Sequence, residues 1–205
     1  MSHKISDFEV QLAINPELFE FQTQMKEKLY DFNHARPSQH ALKATLLGDI
    51  LGSYNGATIV PPFYCDMGKN IHFAEGGFLN SGVTILDIAP VYFGRYVQIG
   101  PNVVISTAGH PLDIAERVLP LALGNPIHIG DSVWIGAGAV VVDGVTIGAR
   151  SVIGAGSVVT KDIPEDCLAF GNPCKVIRKL EHGEVPSEEE LYEMWKPMIE
   201  LKSSS

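Results

Sequence analysis

A chain of 205 residues with 45% hydrophobic side chains has room for one globular domain with appended elements. Its formal net charge of −9 argues against a nucleic-acid partner, because phosphate binding needs clustered Lys and Arg that the sequence lacks. No apolar run has membrane-spanning length, no signal-peptide pattern opens the chain, and Cys65, Cys167 and Cys174 form neither an even framework nor a CxxC pair, so the expectation is a cytoplasmic protein with reduced thiols and no membrane partner.

Residues 1–60 read as a helical cap. Leu18, Phe21, Met25, Leu29 and Phe32 recur at three- and four-residue steps behind Asn15-Pro16-Glu17, which offers a cap with Pro at the first helical position. This predicts a helix that ends before Pro37. A second helix should follow Ser38, run to Leu51 and close at Gly52. An open solenoid end needs a cover, and the same segment is suited to line a substrate cleft.

Pro61-Pro62 then opens a rod over 61–180. Apolar residues step by six at Met67, Phe73, Leu79 and Ile85, and an eight-residue step to Phe93 implies a two-residue bulge near Asp87 to Pro90. Phe93, Ile99 and Ile105 continue the series, and so do Ile129, Ile135, Val141, Ile147, Ile153 and Val159. A second series of small or β-branched residues, Val133, Ala139, Val145, Ser151 and Ser157, runs two positions ahead. Hexapeptides with this rhythm build a mainly β fold, the parallel β-helix, with three hexapeptides to a coil and roughly four coils here. Between Ile105 and Ile129 the register is kept while the repeat is lost, so residues of about 107–126 form an excursion loop.

The repeat dissolves after Lys161-Asp162-Ile163-Pro164, a turn is expected at Gly171-Asn172-Pro173, and a short strand runs from Lys175 to Leu180. Residues 181–205 read as a C-terminal helix and tail. Ser187 to Glu190 is a capping box for a helix carrying Leu191, Met194, Trp195 and Met198 on one side, and the last residues, ending Ser203-Ser204-Ser205, are expected to be disordered.

His110, in the run TAGHP at the start of the excursion, is the candidate for acid–base work, with a satisfied turn histidine as the plain alternative. No Ser or Cys stands beside a histidine in a nucleophile elbow, which argues for direct transfer between two bound substrates, with backbone N–H groups after Ser106 or at Gly136 as oxyanion donors. A zinc site would need convergent histidines, and His72, His110 and His128 are scattered, so no metal is expected.

The motifs PPFYCDMGKNIHF, NSGVTILDIAP, IGPNVVISTAGHP, GDSVWIGAGAVV, GVTIGARSVIGAGSVVTKDIP and GNPCKVIR resemble the maltose and galactoside O-acetyltransferases of the hexapeptide-repeat acyltransferase family, from about Pro16 to Lys179. The resemblance implies a left-handed parallel β-helix, a homotrimer with active sites between neighbouring rods, and transfer of an acetyl group from acetyl-CoA to a sugar hydroxyl. It implies His110 as general base, Asn80 as the amide that holds the acceptor, and Asp66 and Asp87 as polar residues facing the sugar. The plain alternatives are Asp87 as a cap of the bulge, Asn80 as a turn asparagine in a left-handed conformation, and Trp134 as an exposed aromatic packed against the next rod. For coenzyme A the matched positions are Trp134, Ala137, Ala155, Thr160, Lys161, Lys175 and Arg178, the last cations being suited to phosphates unless Asp162, Glu165 and Asp166 neutralise them. The chain departs from the family at Ala13, where the galactoside enzymes carry an acid, at Phe78, where they carry a tyrosine, and in the apolar loop RVLPLALGNP. These departures leave open an amino sugar, a surface-polysaccharide precursor or an antibiotic as acceptor, and a non-catalytic scaffold is the alternative outside enzymology.

Overall fold

The hexapeptide rhythm becomes three parallel sheets around a shared core in a computed structural model that describes residues 4–187, 189, 190 and 193. The 4-stranded first face stacks Ile71–Phe73, Val91–Phe93, Ile127–Ile129 and Thr146–Ile147. The 7-stranded second face stacks Thr58–Ile59, Phe78–Leu79, Gln98–Ile99, Trp134–Ile135, Val152–Ile153 and Cys167–Phe170 in parallel, and Lys175–Lys179 closes it antiparallel. The 5-stranded third face stacks Tyr64–Cys65, Thr84–Leu86, Val104–Ser106, Val140–Val141 and Val158–Val159.

Because each coil repeats the same hexapeptide phase, equivalent side chains lie above one another: Leu79, Ile99, Ile135 and Ile153 on the second face, Ile85, Ile105, Val141 and Val159 on the third. All are buried, and the rings of Phe73 and Phe93 stack with centroids 4.6 Å apart on the first. The second series is buried as well. Ser151 and Ser157 remain satisfied there: Ser151 Oγ donates to Pro164 O and accepts from Cys167 N, while Ser157 Oγ donates to Gly154 O and accepts from Gly171 N.

The rod is longer than the repeat suggested. It opens at Thr58–Ile59, before Pro61, and its third face has five strands, one more than about four coils would supply. Met67 is only half-buried, and the inward position of the first coil belongs to Cys65, which pairs with Ile85. A thiol packs as a small hydrophobe and carries no aliphatic signature. The step from Cys65 to Phe73 is therefore eight residues, the same bulged step that separates Ile85 from Phe93. At the other end Ile163 still bridges Ile147, and Cys167–Phe170 extends the second face beyond the point where the hexapeptide repeat dissolves.

Helix α1 (Pro16–His34) is capped by Asn15, whose Oδ1 accepts from Leu18 N at 2.9 Å, and α2 (His40–Ile50) follows. Met25, Leu29 and Phe32 of α1 and Leu47 and Ile50 of α2 join the core at the end of the rod. The excursion contains Ala108–Gly109, a short helix α3 (Ile114–Arg117) and Leu121–Gly124. An N-terminal strand that periodicity missed, Val10–Ala13, pairs antiparallel with Leu121–Gly124, and Ala108–Gly109 pairs with its other edge. The excursion is thus a 3-stranded sheet shared with the chain's beginning.

The capping box forms, with Glu190 Oε2 accepting from Ser187 N at 2.8 Å and Ser187 Oγ accepting from Glu190 N at 3.3 Å. The apolar row Leu191, Met194, Trp195 and Met198 and the terminal serines lie outside the described residues. Among the described residues no helix is long and apolar enough to cross a membrane.

Candidate functional site

The corner after the third face carries chemistry in three successive coils. Asp66 follows Tyr64–Cys65, Asp87 follows Thr84–Leu86, and Thr107, the root of the loop that leads to His110, follows Val104–Ser106. The bulge in the first of these corners exposes backbone donors that need a partner. Asp87 supplies it: its Oδ1 accepts from Asp66 N at 3.0 Å and from Met67 N at 2.9 Å. Asn70 Nδ2 donates to Asp87 O and Ile88 O, while Thr107 Oγ1 donates to Leu86 O at 2.8 Å and accepts from Ala89 N at 2.9 Å.

Asp87 is 0% exposed, so it does not face a sugar; the bulge it caps is not the expected one at 87–90, which Thr107 and Asn70 hold, but the equivalent bulge one coil earlier, at Asp66 and Met67. Burial pushes its carboxyl up to about 7 against the backbone donors of Met67 and Asp66, and the nearby Asp66 carboxylate adds to the rise. Asp66 is half-buried, and burial raises its acid too, with Lys26 acting in the opposite sense. Its neighbourhood is a cleft of about 520 Å³ between α1 and the third face, where Lys26, Tyr30 and His34 stand across from Tyr64, Asp66 and Thr84.

Asn80 lies at a different corner, directly after Phe78–Leu79, where the second face meets the third. Its Oδ1 accepts from Ser81 N at 2.8 Å, and its backbone is outside the left-handed region, which removes the simple turn reading. Above it on the same corner are the exposed Ala137 and Ala155, and Trp134, 53% exposed, stands on the outer side of the second face in register with Gln98 and Val152. The coils approach closely along this edge: a Cβ on Gly136 would fall 2.6 Å from Ala155 N. Gly136 N donates to Ile153 O at 2.7 Å, which commits one of the two suggested oxyanion donors to the rod.

Lys175 and Arg178 are exposed on the closing strand of the second face, and Thr160 and Lys161 are exposed one corner away, after Val158–Val159. The acids near Lys161 are engaged elsewhere. Asp162 Oδ1 accepts from Thr146 N, and Glu165 and Asp166 both hold Arg150.

His110 is exposed at the end of Ala108–Gly109, and its imidazole makes no hydrogen bond or ion pair with the described residues. The residues that hold its loop gave no repeat signal. A Cβ on Gly109 would fall 2.5 Å from Phe8 Cε1, and Phe8 is buried against that glycine. Asn125 Oδ1 accepts from Glu9 N at 3.0 Å while its Nδ2 donates to Asp143 at 3.0 Å. His72 and His128 stand instead in a row on the first face, stacked on either side of Tyr92 at 5.3 and 5.0 Å.

Residues 126–161 match the bacterial transferase hexapeptide family (six repeats), and residues 12–56 match the maltose acetyltransferase hexapeptide capping motif. The galactoside O-acetyltransferase of Escherichia coli K12 is 42% identical over 156 residues, 76% of this chain and 77% of that protein. The chain belongs to the maltose and galactoside O-acetyltransferase family. A maltose O-acetyltransferase of this family from Clostridium difficile 630 superposes with a TM-score of 0.79 at 39% identity, covering 82% of this chain and 90% of that one. A hexapeptide-repeat acetyltransferase of Vibrio cholerae O1 biovar eltor, solved with acetyl coenzyme A, gives 0.77 at 36% identity over 82% and 91%. The protein is accordingly an acyltransferase, and its three-sided rod is the acetyltransferase scaffold of this family.

Proposed function

We propose that the protein moves the acetyl group of acetyl-CoA to a hydroxyl of a small sugar of the maltose, glucose or galactoside type, with His110 as general base. The observation that carries this reading is the state of His110: an imidazole held at the foot of a braced loop, exposed and unengaged by the described residues. A ring nitrogen takes the proton of the acceptor hydroxyl as its oxygen attacks the thioester carbonyl. The tetrahedral oxyanion collapses, the C–S bond breaks, and the imidazolium returns the proton to the leaving thiolate. Such a base contributes about 10²–10⁴-fold, the remainder coming from holding both substrates together and from backbone donors at the oxyanion.

Asn80, which can donate and accept at once, orients the acceptor hydroxyl. It leaves the rod at the corner between the second and third faces, whereas His110 follows the corner between the third and first. This separation supports a homotrimer in which the histidine of one rod meets the asparagine of the next. The outward row Val104, Val140 and Val158 is apolar and half-buried in the single chain, as a face between rods would be. The cleft beside α1 seats the sugar, with Asp66 accepting from its hydroxyls and Tyr30 and Tyr64 offering ring faces. Acetyl-CoA lies along Trp134, Ala137 and Ala155, with Thr160, Lys161, Lys175 and Arg178 toward its phosphates, in a cytoplasmic enzyme that needs no metal.

The same chemistry on another acceptor, such as an amino sugar or an antibiotic, is the second reading. It is favoured by the loop beyond His110, where Leu112, Ile114 and Val118 are all more than half exposed and apolar. Release of the CoA thiol from acetyl-CoA is the test, measured over glucose, maltose, galactosides, amino sugars and antibiotics with His110→Ala as the blank. Release with glucose, maltose or a galactoside that is absent from the variant supports the first reading. Release only with an amino sugar or an antibiotic supports the second, and silence with every acceptor although acetyl-CoA binds excludes both.

A further inference from the structure

We propose that Asp87 is a positioning residue that couples the Asp66 corner to the root of the His110 loop, so that the acceptor side of the site and its base are set by one buried carboxyl group. The inference rests on the acetyl-transfer reading for its kinetic consequences and on the hydrogen bonds alone for its structural ones.

The coupling is a continuous chain of bonds across three coils. Asp87 Oδ1 gathers the amides of Asp66 and Met67 from the coil on one side. On the other side Thr107 grips both flanks of Asp87, donating to Leu86 O and accepting from Ala89 N, and Thr107 stands three residues before His110. The second carboxylate oxygen, Oδ2, is buried and has no hydrogen-bond partner among the described residues. Capping two amides needs only one oxygen, which an asparagine would also provide, so the charge-bearing group is not required by the bulge itself.

Ionisation is what the carboxyl adds. The charged groups facing it are Asp66, from the first coil, and Lys26 of α1, which acts on Asp66; the Cys65 thiol beside them is pushed far up by burial and by both carboxylates, and stays neutral. With its acid near 7, Asp87 exchanges its proton close to neutrality. The ionised form makes charge-assisted bonds to the two amides and holds the Asp66 corner tightly, and the protonated form holds it less well. Acceptor binding therefore improves as the pH rises through about 7.

The test uses the full-length protein. In a His110→Ala background, which removes the neighbouring imidazole, the backbone amide resonances of Asp66, Met67 and Thr107 are followed by ¹⁵N NMR from pH 5 to 9. A shared midpoint near 7 that disappears on adding Asp87→Asn is expected. In the His110-containing enzyme, Asp87→Asn should raise the acceptor KM about tenfold at pH 8, leave the acetyl-CoA KM within about twofold, and match the parent at pH 6. Independent midpoints for Thr107 and Asp66, or equal shifts in both KM values, overturn the proposal. If no acceptor releases thiol from the parent enzyme, the acetyl-transfer reading fails by itself, and the NMR midpoints still decide the role of Asp87 even where the Asn variant does not fold.

Discussion

Asn33 of α1 and Phe63 of the rod are joined by a reciprocal pair of hydrogen bonds: Asn33 Nδ2 donates to Phe63 O and Phe63 N donates to Asn33 Oδ1, each at 2.9 Å. Phe63 is 0% exposed, so its backbone groups have no alternative in solvent. The pair clamps the helical cap against the first coil on one side of the Asp66 cleft. Asn33→Ala leaves a buried donor and acceptor unmatched, and about 2–4 kcal/mol of stability should be lost. Urea unfolding measures it, with a rise in acceptor KM expected because the clamp sets the cleft. A midpoint unchanged from the parent would show that the cap is held by its apolar side alone.

His110→Ala should lower turnover by about 10²–10⁴-fold, with acetyl-CoA affinity and thermal stability retained, since the side chain is exposed and unbonded among the described residues. Calorimetric binding of acetyl-CoA beside the thiol-release assay separates the two. Full turnover in the variant would take the histidine out of the mechanism.

Deleting residues 1–13 removes the Val10–Ala13 strand, Phe8 and Glu9, which brace the excursion sheet. The core of the rod does not depend on them. Turnover should fall at least about tenfold, in keeping with the cost of a misplaced catalytic group. The far-UV circular dichroism of the β-helix should persist. Proteolysis between Asp113 and Leu119 should become faster than in the parent.

Lys161→Ala should raise the KM for acetyl-CoA several-fold without moving the unfolding midpoint. Lys161 is exposed, and the neighbouring acids Asp162, Glu165 and Asp166 are bound to other groups. The increase should shrink at high salt, as a phosphate contact does. An unfolded variant would make this lysine structural.

Asp87 gives the stability a pH dependence whose sign is opposite to that of a salt-bridged carboxylate. An ordinary Asp releases its proton near pH 3.9 in the unfolded chain, whereas the folded chain keeps it to about 7. Across that window the folded state binds more protons than the unfolded state, so stability falls as pH rises and levels off above about 7. Relative to Asp87→Asn, the parent should lose on the order of 2–4 kcal/mol between pH 4 and pH 8. Parallel curves for the two proteins would remove the raised carboxyl from the account. Stability and acceptor binding are thus expected to move in opposite directions with pH.

The repeat itself was legible in the sequence because a hexapeptide solenoid is a local code: each inward aliphatic residue is six positions from the next, and the coil needs only its neighbours. The helices of the cap announced themselves by the same kind of local signal, through Asn15-Pro16 and the spacing of Met25, Leu29 and Phe32. The motif around His110 was likewise readable, although what braces its loop was not. Contacts between segments distant in sequence carry no period. Only the tertiary structure could pair Val10–Ala13 with Leu121–Gly124, put Cys65 rather than Met67 into the inward row, or bring Asp87 under the amides of Asp66 and Met67. The same holds for the division of Asn80 and His110 between two corners of the prism, because the path of the chain round each coil decides which side chains share an edge. Local periodicity determined the rod, and long-range hydrogen bonding and burial decided how its corners are equipped.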